Sequence, residues 1–225
     1  MAPPATGPEP SLSEILGGRA GAVDATVPVA AFVLAWALAG ALGSVAPIAW
    51  GGGAAVLVAA VTGLVRLRAG TPPRAVVFGL LGVAVAAVVA LLTGRAVDFF
   101  LVRIVSNAVS ALAWAVSIVV RRPLLGLVVG TLLGQRTQWR RDPDLLRGYQ
   151  RASWVWVAQY LVRLAVFLPL YFVDAVVALG IAQTVLTWPL VAVCVATSWP
   201  LVRSALPGGH GGVRHPVERV RPGEH

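Results

Sequence analysis

The chain of 225 residues is 58% apolar and only 12% charged, whereas a soluble domain runs at about 45–50% and about 25%. Its apolar residues gather in blocks near the ~20 that a helix needs to cross ~30 Å of hydrocarbon, which excludes an ordinary soluble fold. The formal charge of +9 comes with eighteen basic residues, all arginine, and most of them flank apolar blocks. That points to a juxtamembrane role and away from nucleic acid.

In chain order, Met1 to Pro10 is proline-rich and predicts disorder. Ser11 and Glu14 form a Ser-x-x-Glu capping box for a short interfacial helix that Gly17-Gly18 would end. Six apolar blocks follow, at about 27–43, 46–65, 75–93, 99–120, 152–173 and 176–199. They predict an all-α, polytopic transmembrane helical bundle over residues 11–203. Pro28 and Pro47 stand at first-turn positions, where a missing N–H costs nothing. Ala37-Leu38-Ala39 has the look of a cleavage site, but Glu9, Glu14 and Asp24 precede it against Arg19 alone. That is the wrong sign for a signal peptide, so the first block reads as a retained span. The Gly/Pro-rich tail from 204 to 225 predicts a disordered cytoplasmic end.

Arginine placement sets the orientation. With the N-terminus inside, the cytoplasmic segments hold fifteen arginines and the outer side two, Arg95 and Arg103. This bias predicts a bacterial cytoplasmic membrane protein with both termini cytoplasmic. The lack of lysine, with the Ala, Val, Gly and Arg excess, has the character of high-G+C coding. Trp50, Trp154, Trp156 and Trp199 fall where an aromatic belt is expected.

Pro123 to Gly134 does not fit the six-span pattern. Its length, ~18 Å as a helix, is too short to span. Gly126, Gly130 and Gly134 share one face, as in close helix packing. Two readings stay open: an interfacial packing helix, or a re-entrant half-helix whose positive N-terminus joins Arg121 and Arg122 as an anion site. The segment from Gln135 to Arg151 reads as a loop. Its Arg136, Arg140 and Arg141, with Arg121 and Arg122, make a surface expected to contact anionic lipid head groups, each arginine contributing ~1 kcal/mol.

The last three spans carry the polar residues. Arg103, Asn107, Ser110, Trp114, Ser117 and Arg121 step by three and four and draw one stripe along the fourth span. Gln159 and Arg163 share a face of the fifth, while Gln183, Thr184, Thr187 and Pro189 lie on the sixth. Depth counting puts Ser110, Arg163 and Thr187 near the midplane, so a polar seam is expected between spans four to six. Arg163 stands out because an arginine there costs at least ~2.5 kcal/mol on insertion scales, and no carboxylate lies inside any span. The acceptors in reach are Asn107, Gln159, Gln183 and the Val185 carbonyl, which Pro189 frees. Arg163 either locks three helices through such bonds, awaits an anionic ligand, or snorkels to an interface.

The three histidines lie in the tail and Cys194 is alone in an apolar run, so no metal or cofactor is expected. Without a nucleophile–base set, paired carboxylates or a phosphate-cradling loop, the chain is not expected to be an enzyme. Its expected roles are structural or interaction work in the envelope, or a small transporter or channel for an anionic solute or lipid.

Several segments together resemble an uncharacterised actinobacterial membrane family, the domain of unknown function three-one-five-nine. They are Gly17-Gly18 with Asp24 and Pro28, Gly94-Arg95 with Asp98-Phe99-Phe100-Leu101 and Asn107, and Arg122-Pro123-Leu124 with Gly126. Trp139 with Asp142, Trp156 with Arg163, Leu170-Tyr171, Leu179-Gly180 and Trp188-Pro189-Leu190 extend it. The resemblance covers about Leu12 to Arg203 and implies a membrane location without an activity. A fainter likeness to intracellular septation protein A implies an envelope or division role by analogy.

Overall fold

The computed structural model describes residues 18–132 and 138–207, with side chains from residue 26 onward except those of 132 and 138. The expected N-terminal disorder and capping box, Gly134, Arg136 and the three histidines lie outside the described residues.

Within the described residues the fold is all-α. Helices run α1 Gly18–Ala41, α2 Pro47–Arg68, α3 Pro73–Thr93, α4 Leu101–Val119, α5 Leu124–Leu132, α6 Pro143–Phe172 and α7 Val176–Ser204, with 3-10 helices at Ala96–Phe100 and Gln138–Arg141. Five stretches are long and apolar enough to cross a membrane: Pro47–Arg68, Pro73–Thr93, Ala96–Val119, Pro143–Phe172 and Val176–Ser204. A shorter apolar stretch, Thr26–Ala41, lies in α1 and answers the first expected span. That helix starts at Gly18 rather than near Val27, because hydropathy marks only the part suited to hydrocarbon, so Pro28 lies inside α1 and not at the first-turn position expected of it.

The chain forms two compact units. The first holds residues 18–102 and 170–184. Here α1 packs on α2, α2 on α3, and α3 on the first 3-10 helix. Small residues allow the approach: a Cβ on Gly51 would sit 3.0 Å from the Phe32 carbonyl oxygen, and one on Gly52 3.2 Å from the Ala87 Cβ. Gly94 ends α3 in the left-handed region, φ 69, a conformation that costs glycine nothing. The chain then delivers Phe99 onto Phe32, stacked at 3.9 Å between centroids, with Phe100 edge-on to both.

The second unit holds residues 103–169 and 185–207. Its α4 ends in a turn where the Arg122 N–H bonds the Ser117 carbonyl and Arg121 takes φ 53. Arg121 therefore leaves the helix, and the expected polar stripe stops at Ser117. Helix α5 has 9 residues, matching a segment too short to span. Trp139, fully buried, covers its Gly126, where a Cβ would meet the indole at 2.8 Å. Leu125, Leu145, Tyr149, Ala152 and Val202 complete this core.

Two expectations are corrected. The segment from Gln135 to Arg151 is not a loop throughout, since α6 begins at Pro143. Buried Asp142 caps it by accepting from the N–H groups of Asp144 and Leu145, and Pro143 sits in the first turn, where its ring is tolerated. Trp156 is no belt residue. It stacks on Trp114 at 5.2 Å and donates its Nε1–H to Ser198 Oγ. Trp50, Trp154 and Trp199 are exposed, as anchors should be.

Candidate functional site

Helix α6 carries Arg163 nine residues before its end at Phe172, ~14 Å along the axis. The side chain is buried in the second unit. Its Nη2 donates to Gln159 Oε1 at 3.3 Å and to the Thr187 carbonyl at 2.9 Å. The guanidinium also lies over the Tyr160 ring, 5.7 Å from the centroid. Gln159 is the acceptor expected from the i,i+4 spacing. The backbone acceptor is Thr187, not Val185: two residues turn about 200° round a helix, and Val185 faces outward. The Nε–H of Arg163 is buried without a partner.

The other seam residues divide. Asn107, buried, donates to the Arg103 carbonyl one turn back. Ser110 is half-buried. Ser117 donates to the Trp114 carbonyl and accepts from the Leu124 N–H, so it ties α4 to the start of α5. Arg103 is half-buried within the Ala96–Val119 stretch. Gln183, buried, belongs to the first unit, so the structure gathers Arg103, Asn107, Ser110, Ser117, Gln159, Arg163 and Thr187 in one unit without it.

Four of the arginines expected at head groups, Arg121, Arg122, Arg140 and Arg141, are exposed. Arg140 lies over the Trp139 ring at 5.4 Å, and the nearby Arg147 pairs with Asp144.

Sequence reasoning missed a charged cluster in the first unit. Arg95 bonds Asp174 at 2.7 Å and lies 3.7 Å from Asp98. Tyr171 donates its hydroxyl to the buried Asp98 carboxylate at 2.6 Å, while the Arg95 guanidinium lies over the Tyr171 ring at 5.4 Å. The bond to Asp174 raises the Arg95 pKa above its ordinary value, against a smaller opposing desolvation. The available signal was a pair of i,i+3 spacings, Arg95–Asp98 and Tyr171–Asp174, at the ends of apolar blocks.

Among the described residues, no group of three His, Cys, Asp or Glu is placed to hold a metal ion. Large apolar side chains such as Leu57, Phe78, Leu92 and Phe172 stand exposed along the apolar helices, a surface suited to hydrocarbon. Helices, exposure and polar interior together define a multi-pass helical membrane protein.

A family match makes this more specific. Residues 16–208 match the model of a protein family of unknown function, DUF3159, and the chain belongs to it. No curated protein and no solved structure matches the chain.

Proposed function

We propose that this protein is a structural, non-catalytic component of the bacterial cytoplasmic membrane, with both termini cytoplasmic, working through contacts with other envelope or septum components. The observation that carries this reading is the clasp on Arg163: Gln159 and the Thr187 carbonyl hold the guanidinium from the protein's own helices. Arg121, Arg122, Arg140 and Arg141, exposed together in the second unit, support contact with anionic head groups on the cytoplasmic side. The envelope assignment rests on the likeness to a septation protein alone.

A second reading is a path for an anionic solute along α4, favoured by the unpartnered Arg163 Nε–H. Cysteines placed at Ser110 and Ser117 in a Cys194→Ala background distinguish the two. A membrane-impermeant maleimide should leave both unlabelled if the helices pack as a scaffold. Labelling at both would replace the structural reading with the path.

A further inference from the structure

Within the first unit, α1, α2 and α3 border a cleft of about 70 Å³. Ala59, Gly63 and Arg66 form its α2 wall, Ala75 and Gly79 its α3 wall, and Pro28 of α1 lines it as well. The α2 residues recur at steps of four and three and the α3 residues at a step of four, so each wall is one helix face. A Cβ on Gly63 would come within 2.7 Å of Val76 Cγ1, which marks where the two helices touch. One on Gly79 would meet nothing within 4 Å. Ala75 and Gly79 are exposed, so the cleft opens on the side that faces hydrocarbon.

Ala59 lies nine residues before the end of α2 at Arg68, and the cleft therefore runs ~14 Å inward from that end. Besides Arg66 the polar side chain in the lining is Thr62, whose hydroxyl donates to the Val58 and Ala59 carbonyls. The deep part is thus apolar. Empty space between helices forfeits dispersion contacts, and an apolar space holds no water. In a bilayer the group at hand to fill it is an acyl chain.

Charge selects the lipid. Arg66, Arg68 and Arg74 fall within nine residues at the same end of α2 and α3, and no Asp or Glu occurs from residue 25 to 97. Arg66 is the one that lines the cleft. It already interacts within the protein, but a guanidinium carries five N–H donors, and a phosphate engages two of them through the planar fork. Arg68 and Arg74 are exposed and strengthen the attraction for anionic lipid at that depth.

We propose that this cleft binds one anionic phospholipid, with an acyl chain between α2 and α3 and the phosphate on Arg66. The site lies outside the second unit, and it goes beyond the structural reading without requiring transport.

The test uses the full chain in phosphatidylcholine vesicles that contain a minority of phosphatidylglycerol. In one arm a trace of phosphatidylglycerol carries a photoactivatable diazirine in its acyl chain, and in the other the same trace of phosphatidylcholine carries it. Adducts within 59–66 and 75–83 are mapped by mass spectrometry and normalised to those on the exposed Leu57 and Leu92. Phosphatidylglycerol should label the cleft about five-fold more than phosphatidylcholine, the ratio that corresponds to ~1 kcal/mol for one basic residue. Arg66→Gln should bring the two yields together. Gly79→Leu fills the cleft and should lower the yield from both lipids. Gly82→Leu, beside equally open space but outside the lining, should not. Equal yields from the two lipids in the wild type would overturn the site. So would an undiminished preference in Arg66→Gln, an undiminished yield in Gly79→Leu, or the same loss in Gly82→Leu. The wild-type comparison needs no variant to fold. None of these outcomes bears on thiol labelling at Ser110 and Ser117, so the proposal and the structural reading fail separately.

Discussion

Arg163→Ala removes two hydrogen bonds and one cation–π contact at once. Only the Thr187 bond joins two helices, and interhelical hydrogen bonds within membranes average ~0.6 kcal/mol and reach ~1.7. The Gln159 and Tyr160 contacts lie within α6 and survive when the helices separate within the membrane. Burial of the charge does not offset the loss in that reference state either, because the arginine lies in the membrane there too. The expected destabilisation is therefore about 0.6–1.7 kcal/mol. It should appear as a lower midpoint when the purified protein is unfolded in a graded detergent series with tryptophan fluorescence as the probe. An Arg163→Ala protein as stable as wild type would refute the clasp and leave Arg163 an uncommitted cation.

Gly126→Ala tests the packing of α5. Alanine normally gains about 0.5–1 kcal/mol over glycine inside a helix, but here its methyl would meet the buried Trp139 ring at 2.8 Å. Overpacking of that kind costs about 1–3 kcal/mol, so the variant should unfold earlier in the same assay, while Gly79→Ala, with nothing within 4 Å of the new Cβ, should not. Tyr171→Phe leaves the buried Asp98 carboxylate without its 2.6 Å donor and should cost about 1.5–3 kcal/mol, the range for a bond to a charged group. An unchanged midpoint would show that Asp98 finds another donor. Asp142→Ala removes the cap of α6 and should cost about 0.5–2 kcal/mol, with faster amide exchange confined to the first turn of α6. Exchange unchanged in that turn would show that the helix start does not depend on Asp142.

The apolar blocks were legible because hydrocarbon leaves a lipid-facing helix little choice of composition. α2 and α3 fall close to their hydropathy limits for that reason. The Gln159–Arg163 bond was legible too, since residues four apart on a helix face each other. Its backbone partner was not. Every residue carries a carbonyl, so nothing marks Thr187 as the acceptor except the facing of the helix. The Arg95 cluster was hidden differently, because its bonds join residues 79 and 73 positions apart. The start of α6 had a readable sign that charge obscured. Asp142-Pro143 is a helix opening, and Leu145, Tyr149 and Ala152 follow at steps of four and three, yet the five arginines from Gln135 to Arg151 give the look of a solvated loop.

The two units meet the same solvent with different devices. In the first, glycine and alanine at positions such as Gly51, Gly52, Ala55 and Ala87 bring helix backbones together, and the Arg95 ion pairs lie at the end of the apolar stretch, with carboxylates on both sides. In the second, Arg163 sits far inside the stretch with neutral acceptors only. If helix association were the sole demand there, a neutral donor would serve at lower cost, since a neutral amide is cheaper to bury than a charge. A guanidinium adds what an amide cannot, a net positive charge inside the apolar stretch and a further donor, the Nε–H that stays buried without a partner. The bonds to Gln159 and the Thr187 carbonyl fix where that charge sits.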